Sequence, residues 1–400
     1  MLFSFEQMDS NEQMDSNEQV DSKKMRILCW AGWYRHSAND YKAIFIKKHL
    51  ECISEYADLQ IFHIAHKKNI FWFKKQILDE NFGPVVIYFI PTFFPLKHLG
   101  YLVIPLIEGI KAKRKWKDID VFLLQVSYPF AAFTYLLEFL KIKKWFLIEH
   151  WSGYTFVDNA FARINVLLRK ILSHRLRRFE KITVVSEYLK NEMLQRFPDL
   201  KNTLVVIPNV VKYPTVLKRS ASVDSVFKLV SVSYLTVYPK NVLFLIDVVF
   251  VASKVLPNIQ LDIYGDGKDK DILWSRALEL KVLNHCVFFK GPVENERITE
   301  IYEQYHAFIL LSQFETFSVV TAEAIAHGLP VIVSRCGAPE EYVCEENGYL
   351  VPVNNLLATV QAILDLYQNY SRFLPEAVQA TVKNRFDPSI IQEQFKKMMV

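Results

Sequence analysis

Long apolar runs are missing from this sequence. No stretch reaches the ~18 uninterrupted apolar residues that a transmembrane helix needs. The segment 99–110 comes nearest, but it is too short and contains Pro105 and Glu108. The first residues are polar and acidic, so we expect no secretory signal either. These absences predict a cytoplasmic protein without a membrane-spanning helix.

Cysteine is scarce and scattered. The sequence has five cysteines, and none of them are spaced as paired metal ligands would be. An odd number of dispersed cysteines is typical of free thiols in a reducing compartment. We therefore expect no metal.

Two further motifs are absent. A strand is predicted from Met25, and the turn after it contains Gly32 but not a full Gly-x-Gly-x-x-Gly pattern. This disfavours a dinucleotide-dependent oxidoreductase. No nucleic-acid-binding motif is present, so we expect no nucleic-acid partner.

The composition is that of a globular protein large enough for two domains. It has 400 residues, of which 51% are hydrophobic. The net charge of +5 is unevenly distributed, because residues 26–205 contain 28 Lys+Arg against 16 Asp+Glu. A basic first half suggests a polyanionic partner, either an anionic membrane or a phosphorylated acceptor.

The segment before Met25 is a polar six-residue repeat that starts at Glu6, Glu12 and Glu18. Such a sequence cannot bury a core, and we predict that residues 1–24 are a disordered tail. Duplication in the coding sequence could have produced it, which would make Met25 the ancestral start.

Aromatic and basic residues alternate in the first half. The segments 71–75 and 93–97 combine phenylalanine or tryptophan with lysine, which suits a membrane interface. Core aromatics with lysines that reach outward would give the same pattern. The basic helix predicted over 169–179 could likewise lie on anionic headgroups or be a solvated face.

The segment 309–333 predicts a strand, a loop, a helix and a second strand. Ser318 can cap the helix, Gly328 can close it, and Pro330 prevents its continuation. The loop would lie beyond the carboxyl ends of the strands, where ligands collect in open α/β sheets. The free N–H groups of a helix N-terminus also attract phosphate.

Two carboxylates, Glu315 and Glu323, bracket this helix start. A phosphate bound there would have a carboxylate on either side to accept hydrogen bonds from sugar hydroxyls. A solvated loop Glu and a solvated helix Glu remain an equal alternative at this point.

The pattern Glu-x7-Glu followed by Ala-x-Ala-x-Gly-x-Pro-Val-Ile resembles the nucleotide-sugar signature of glycosyltransferase family 4, the retaining "group 1" glycosyltransferases. The resemblance implies that Glu315 and the backbone after it hold the donor sugar and diphosphate. It implies that Glu323 holds the ribose. The backbone positions concerned are Thr316, Phe317, Ser318 and Val319.

Other stretches resemble the family in the right order. His150 follows a predicted strand where the family has a histidine facing the donor sugar, and Lys240 matches a lysine that pairs with the diphosphate. The arginine expected beside that lysine is replaced by Ser233 or Tyr234, so another basic residue could substitute. The remaining positions implied are Tyr234, Gly265, Gly267 and Asn209 for the donor, and Gly32 and Trp33 for the loop near the phosphates and acceptor.

Helix 40–56 is predicted after that loop. Ala43 stands where the family often has glycine, which leaves the phosphate role of the loop open. We interpret His49 on this helix as a surface residue rather than a catalytic base.

The resemblance implies an α/β GT-B fold, with two Rossmann-like domains facing a central cleft. The expected boundaries are 25–210 for the acceptor-side domain, 211–385 for the nucleotide-sugar-binding domain, and 386–400 for a helix that packs back on the first domain. It implies a hexosyltransferase (EC 2.4) that needs no cofactor. A lipid-linked glycan of a bacterial surface polysaccharide (capsule, exopolysaccharide or lipopolysaccharide) is the expected acceptor, with the enzyme peripheral on the inner face of the plasma membrane.

Other functions on this fold stay open. A sugar phosphorylase or a nucleotide-sugar epimerase would share the signature. A non-catalytic partner subunit is also compatible with the missing arginine and glycine.

Overall fold

The computed structural model describes residues 24–36, 43–68, 70–92, 96–217, 225–294 and 297–399. The predicted tail, apart from Lys24, lies outside the described residues. So does much of the aromatic segment 93–97.

The first half of the chain forms an eight-stranded sheet with the order β3-β4-β2-β1-β5-β6-β7-β8. All neighbouring strands are parallel except β3, which is antiparallel to β4. The continuous apolar runs of β1, β5 and β6 suit strands that helices cover on both faces. The strands are β1 (Met25–Ala31), β2 (Ala57–Lys67), β3 (Lys74–Glu80), β4 (Gly83–Pro91), β5 (Val121–Gln125), β6 (Lys144–Glu149), β7 (Lys181–Val184) and β8 (Leu204–Val206).

The helices around this sheet differ in part from the prediction. The helix predicted over 40–56 is described from Ile44 to Ser54, and residues Phe130–Leu140 form a 3₁₀ helix. Among the described residues, no helix has both the length and the apolar character for crossing a membrane. The α-helices are α1 (Ile44–Ser54), α2 (Leu96–Trp116), α3 (Ala160–Arg163), α4 (Val166–Leu176) and α5 (Glu187–Arg196).

The second half forms a six-stranded parallel sheet with the order β11-β10-β9-β12-β13-β14. Its strands are β9 (Phe227–Val232), β10 (Ile259–Tyr264), β11 (Val287–Gly291), β12 (Ala307–Leu310), β13 (Val331–Ser334) and β14 (Gly348–Val351). Its helices are α6 (Val242–Val255), α7 (Lys270–Glu279), α8 (Ile298–Tyr302), α9 (Val319–Ala326), α10 (Leu356–Gln368) and α11 (Pro375–Phe386).

The last helix, α12 (Pro388–Met399), lies on the first domain. Its side chains Ile391, Phe395 and Met399 are fully buried. We predicted that this helix starts at Phe386, but Phe386 ends α11, and Pro388 begins the new helix because proline suits a first helical turn.

The molecule has the GT-B architecture predicted from the sequence, with two Rossmann-like domains facing a cleft. The strand order reverses between β1 and β5 in the first sheet and between β9 and β12 in the second. Ligands bind at such switch points, beyond the carboxyl ends of the strands. The loops after these strands therefore define where the site must be sought.

Candidate active site

The loop between β12 and α9 takes the predicted place at the second switch point. Ser318 precedes α9 with φ +66°, and its hydroxyl bonds to the Thr321 hydroxyl at 2.8 Å. The prediction that Ser318 caps the helix through its side chain is thus wrong in detail, because the hydroxyl does not reach a backbone N–H. The Tyr342 hydroxyl instead holds the loop by donating to the carbonyls of Phe317 and Ser318.

The first N–H groups of α9 have no acceptor within the helix, as at every helix start. Together with the helix dipole they make this loop suited to an anion such as a phosphate. Gly328, at φ +75°, ends the helix as predicted.

Glu315 is buried at the start of this loop and is held on several sides. Its N–H donates to the Cys336 carbonyl at 2.7 Å, while its Oε1 accepts from Lys240 Nζ at 2.6 Å and Ser312 Oγ at 2.7 Å. Lys240 follows β9 and Glu315 follows β12, so the two sides of the switch point supply one residue each. The structure therefore brings together two of the predicted catalytic residues.

Glu323 faces the first domain. Its Oε1 lies 2.9 Å from Nζ of Lys48 on α1, and both side chains are only 5% exposed. The alternative that Glu315 and Glu323 are solvated carboxylates is wrong, because both are buried. The sequence analysis did not single out Lys48, since one lysine on a helix carries no signal of a contact across a cleft.

His150 follows β6 on the opposite side of the cleft, in a loop that Glu149 fixes. The fully buried Glu149 carboxylate accepts from the N–H groups of His150 and Trp151, both at 2.9 Å, and of Ser127 at 3.1 Å. Burial raises the pKa of Glu149, while these hydrogen bonds oppose the rise. The carboxylate thus sets where His150 stands.

The His150 ring lies against Phe45 and His49 of α1, with ring centroids 4.5 Å and 5.4 Å away. Burial lowers its pKa well below the usual range, so the imidazole is neutral at pH 7. In the described part of the chain, its Nε2 has no hydrogen-bond partner. A buried unpaired nitrogen is costly and calls for an explanation, such as a bound ligand.

His49 is fully buried, which corrects the interpretation of it as a surface residue. Its Nε2 donates to the Pro208 carbonyl at 3.0 Å, and burial lowers its pKa to about 4. The sequence carried a signal for this, because His49 lies four residues after Phe45, on one face of the helix.

Two glycines hold the turn after β10 close to the loop after β9. A Cβ on Gly265 would lie 1.9 Å from the Ser233 carbonyl oxygen, and one on Gly267 would lie 2.2 Å from that of Leu235. Only glycine permits this approach. Tyr234, between the two contact points, is 57% exposed.

The remaining predicted residues lie in the first domain. Gly32 follows β1 and donates to the Gln125 carbonyl at 2.8 Å, where a Cβ would clash. Trp33 is 36% exposed. Asn209 is buried, and its Oδ1 has no partner among the residues described. Their structural positions are known, whereas their roles toward a donor stay predictions.

Further contacts join the two domains beside the loop between β12 and α9. The Ser186 hydroxyl donates to the Thr316 carbonyl at 2.7 Å, and the Glu341 carboxylate accepts from the N–H groups of Glu187 at 3.1 Å and Tyr188 at 2.6 Å. Glu341 thereby sits on the positive end of α5. Nothing in the sequence singled out these contacts.

No group of three or more His, Cys, Asp or Glu side chains is arranged to hold a metal ion in the ranges that the structure describes.

Comparison with known proteins places this chain among glycosyltransferases. A family model described as "Glycosyltransferase Family 4" matches residues 66–212, and one described as "Glycosyl transferases group 1" matches residues 226–369. The UDP-N-acetylglucosamine–peptide N-acetylglucosaminyltransferase GtfA subunit of Streptococcus pneumoniae is 27% identical over 268 residues, which are 62% of this chain and 50% of that protein. The chain spans about a third to two thirds of the length of the curated relatives it matches.

Solved structures share the fold along nearly the whole chain. Sucrose-phosphate synthase from Thermosynechococcus elongatus superposes with a TM-score of 0.74 at 16% identity, covering 94% of this chain and 98% of that one. HepE from Anabaena, in complex with UDP and glucose, gives 0.70 at 15% identity and covers 94% and 99%. With both halves matched by family models and the GT-B architecture in place, this chain belongs to the group 1 glycosyltransferases of family 4.

Proposed function

We propose that this protein transfers a sugar from a nucleoside diphosphate sugar to an acceptor hydroxyl and retains the anomeric configuration. One observation carries the proposal. The start of α9 is flanked by two buried carboxylates, each paired with a lysine, and the neutral His150 lies on the facing domain.

The donor diphosphate would bind at the start of α9. The N–H groups of the helix and the Lys240 ammonium would both stabilise the charge that grows as the diphosphate leaves. The proposal therefore requires no metal ion. A nucleotide-sugar donor is supported by the name of the GtfA subunit and by the UDP and glucose in HepE.

The donor sugar would lie between Glu315 and His150. Glu315 Oε1 already accepts from Lys240 and Ser312, which makes this carboxylate a weak nucleophile. This favours a front-face reaction, in which the acceptor attacks from the side of the leaving group without a covalent enzyme intermediate. Retention would follow from that geometry.

The acceptor would be a lipid-linked glycan, reached from the inner face of the plasma membrane. Phe71 and Trp72 support a peripheral contact, because they are 76% and 81% exposed and are followed by Lys74 and Lys75. The alternative that they are core aromatics is wrong. The segment follows β2 at its carboxyl end, and therefore at the same edge of the sheet as the cleft.

A panel of nucleoside diphosphate sugars, first screened by thermal shift, tests the function. A ligand at ~100 times its Kd stabilises by ~2.7 kcal/mol, which is well within detection. The donor that binds is then supplied with labelled sugar and lipid-linked acceptors, with and without a metal chelator, and the anomeric configuration of the product is read by NMR.

Transfer with retention, unaffected by the chelator, is the expected result. An isomerised nucleotide sugar would indicate an epimerase, and sugar phosphate formed with inorganic phosphate would indicate a phosphorylase. Donor binding without any turnover would point to a non-catalytic subunit.

A further inference from the structure

Lys48 on α1 and Glu323 on α9 form an ion pair across the cleft. The Nζ–Oε1 distance is 2.9 Å, and each side chain is 5% exposed. Because α1 belongs to the first domain and α9 to the second, the pair exists only while the domains are together. Glu323 is also the residue that, by the family resemblance, would hold the ribose of the donor in the proposed function.

The neighbouring Lys47 shows that the pair is not a general property of this helix. Lys47 Nζ lies 2.9 Å from Oε2 of Glu80, within the first domain. Two consecutive lysines thus have different partners. Lys47 contacts a carboxylate of its own domain, and Lys48 contacts a carboxylate of the second domain. This makes Lys47 a matched control for Lys48.

The ion pair leaves acceptor positions of the Glu323 carboxylate unoccupied by Lys48. A carboxylate has two oxygens with about four acceptor positions. Lys48 contacts Oε1, which leaves Oε2 for hydroxyl donors. Lys48 and a ribose can therefore share Glu323.

A buried carboxylate without a charge partner is strongly unfavourable. The 2.9 Å contact with Lys48 fixes the Glu323 side chain on the cleft side of α9. A fixed carboxylate binds a ribose more tightly than a mobile one, because less side-chain conformational entropy is lost on binding.

We propose that Lys48 is a positioning residue for the nucleotide, which holds Glu323 ready for the ribose hydroxyls and couples ribose recognition to the closed cleft. This rests on the proposed function. It also assigns to the first domain a cation near the donor, in a chain that lacks the arginine expected at Ser233 or Tyr234.

The experiment measures how strongly the protein distinguishes ribose from a sugar without its hydroxyls. Isothermal calorimetry gives the Kd of the nucleoside diphosphate that binds and of its 2′,3′-dideoxy analogue. For the wild type, we expect the ribose form to bind about tenfold or more tightly, as hydrogen bonds to a charged group imply.

Lys48→Met should reduce this ratio to below about threefold by weakening only the ribose form, because only that form uses Glu323. Lys48→Arg should restore most of the ratio, and Lys47→Met should leave it unchanged. A merely structural role would weaken both nucleotides alike, so the ratio separates the two roles.

A double variant keeps the test valid where Lys48→Met does not fold. Lys48→Met combined with Glu323→Gln removes both charges, and its ratio should equal that of Glu323→Gln alone. A further fall in the ratio would show that Lys48 acts independently of Glu323 and would overturn the proposal.

Two other outcomes would also overturn it. An unchanged ratio in Lys48→Met would make the lysine structural, and tighter binding of the ribose form would make it a competitor of the ribose. In both cases the donor site stands. If the wild type binds no nucleoside diphosphate or shows no preference for ribose, the proposed donor site fails and this inference fails with it.

Discussion

Lys240 Nζ lies 2.6 Å from Glu315 Oε1, so two residues assigned to the reaction are bound to each other. Each balances the charge of the other in a partly buried setting. Removing one leaves the other uncompensated, and the effects of single substitutions will not add. The variants must therefore be compared as a set, with folding checked by thermal melting.

Lys240→Ala should lower turnover more than donor affinity. The reason is that Lys240 opposes a charge that grows as the diphosphate leaves. Transfer rates at saturating donor, together with calorimetry of the free diphosphate, measure the two effects. Lys270→Ala, an exposed lysine beside Asp266, is the control. Near wild-type turnover in Lys240→Ala would remove this residue from the mechanism.

Glu323→Gln should weaken donor binding by ~1–3 kcal/mol, the worth of a hydrogen bond to a charged group. Because the ribose is held in both the ground state and the transition state, turnover at saturating donor should change little. Comparing the Kd of the donor with kcat tests this. A large loss of kcat with unchanged Kd would contradict the ribose assignment.

Glu315→Gln and His150→Ala should impair transfer and leave binding of the free nucleoside diphosphate nearly intact, because both residues are assigned to the sugar. Calorimetry with the diphosphate and transfer rates for each variant make the comparison. If both variants transfer sugar at near wild-type rates, the sugar does not lie between these residues.

The free energy of unfolding should decrease as the pH is lowered from about 6.5 to about 4. The buried His49 has its pKa lowered to about 4, so the unfolded chain takes up a proton in this range and the folded protein does not. Each such histidine contributes at most about 1.4 kcal/mol per pH unit, and His63 behaves likewise. Above pH 6.5 the histidine is neutral in both the folded and the unfolded state, so it no longer makes the stability depend on pH.

Denaturant unfolding across this pH range provides the measurement. His49→Gln should make the dependence on pH shallower. Ile391→Val, in the same interface but without a titratable group, should cost about 0.5–1.5 kcal/mol and leave the slope unchanged. An unaltered slope in His49→Gln would show that folding does not change the pKa of this histidine.

The protein should bind anionic vesicles more strongly than neutral ones, and salt should weaken the binding. Trp72→Ser should reduce vesicle binding because the indole is 81% exposed beside lysines. Phe139→Ser is the control, since Phe139 is 78% exposed on a different segment. Vesicle sedimentation measures both variants, and equal binding to the two vesicle types would remove the membrane contact.

Deleting residues 1–24 should leave the melting temperature and the transfer rate unchanged, because the repeat has too few apolar residues to bury. The full chain is the reference. A clear loss of either property would show that this segment packs on the protein.

The buried strands could be predicted because parallel strands covered on both faces are apolar without interruption, as in Val121–Gln125 and Lys144–Glu149. The sequence analysis did not predict β3, because this strand has no continuous apolar run. Its sequence, Lys-Lys-Gln-Ile-Leu-Asp-Glu, lies mostly exposed at the sheet edge, where polar residues are favoured.

In the site, the Glu-x7-Glu motif singled out Glu315 and Glu323, and other stretches that resemble the family singled out Lys240 and His150. Neither indicated which residues these side chains would contact. Glu323 pairs with Lys48, which is 275 residues away in sequence. Local sequence patterns show which face of a helix is apolar. They do not show which charged side chain of another domain will contact that helix. The interpretation of His49 as a surface residue was wrong for another reason. Its spacing from Phe45 already indicated that it lies on the buried face of the helix.

The position of α12 has a consequence for the order of events during synthesis. Cys52 Sγ donates to the carbonyl of Pro388, which comes 336 residues later, and Lys144 Nζ donates to the carbonyl of Met399. Domains generally fold in order as they leave the ribosome. Here the first domain emerges early, and α12 covers part of α1 only after the second domain has been translated. Until then, side chains of α1 that α12 contacts in the folded protein, such as His49 against Phe395, stay exposed on the nascent chain.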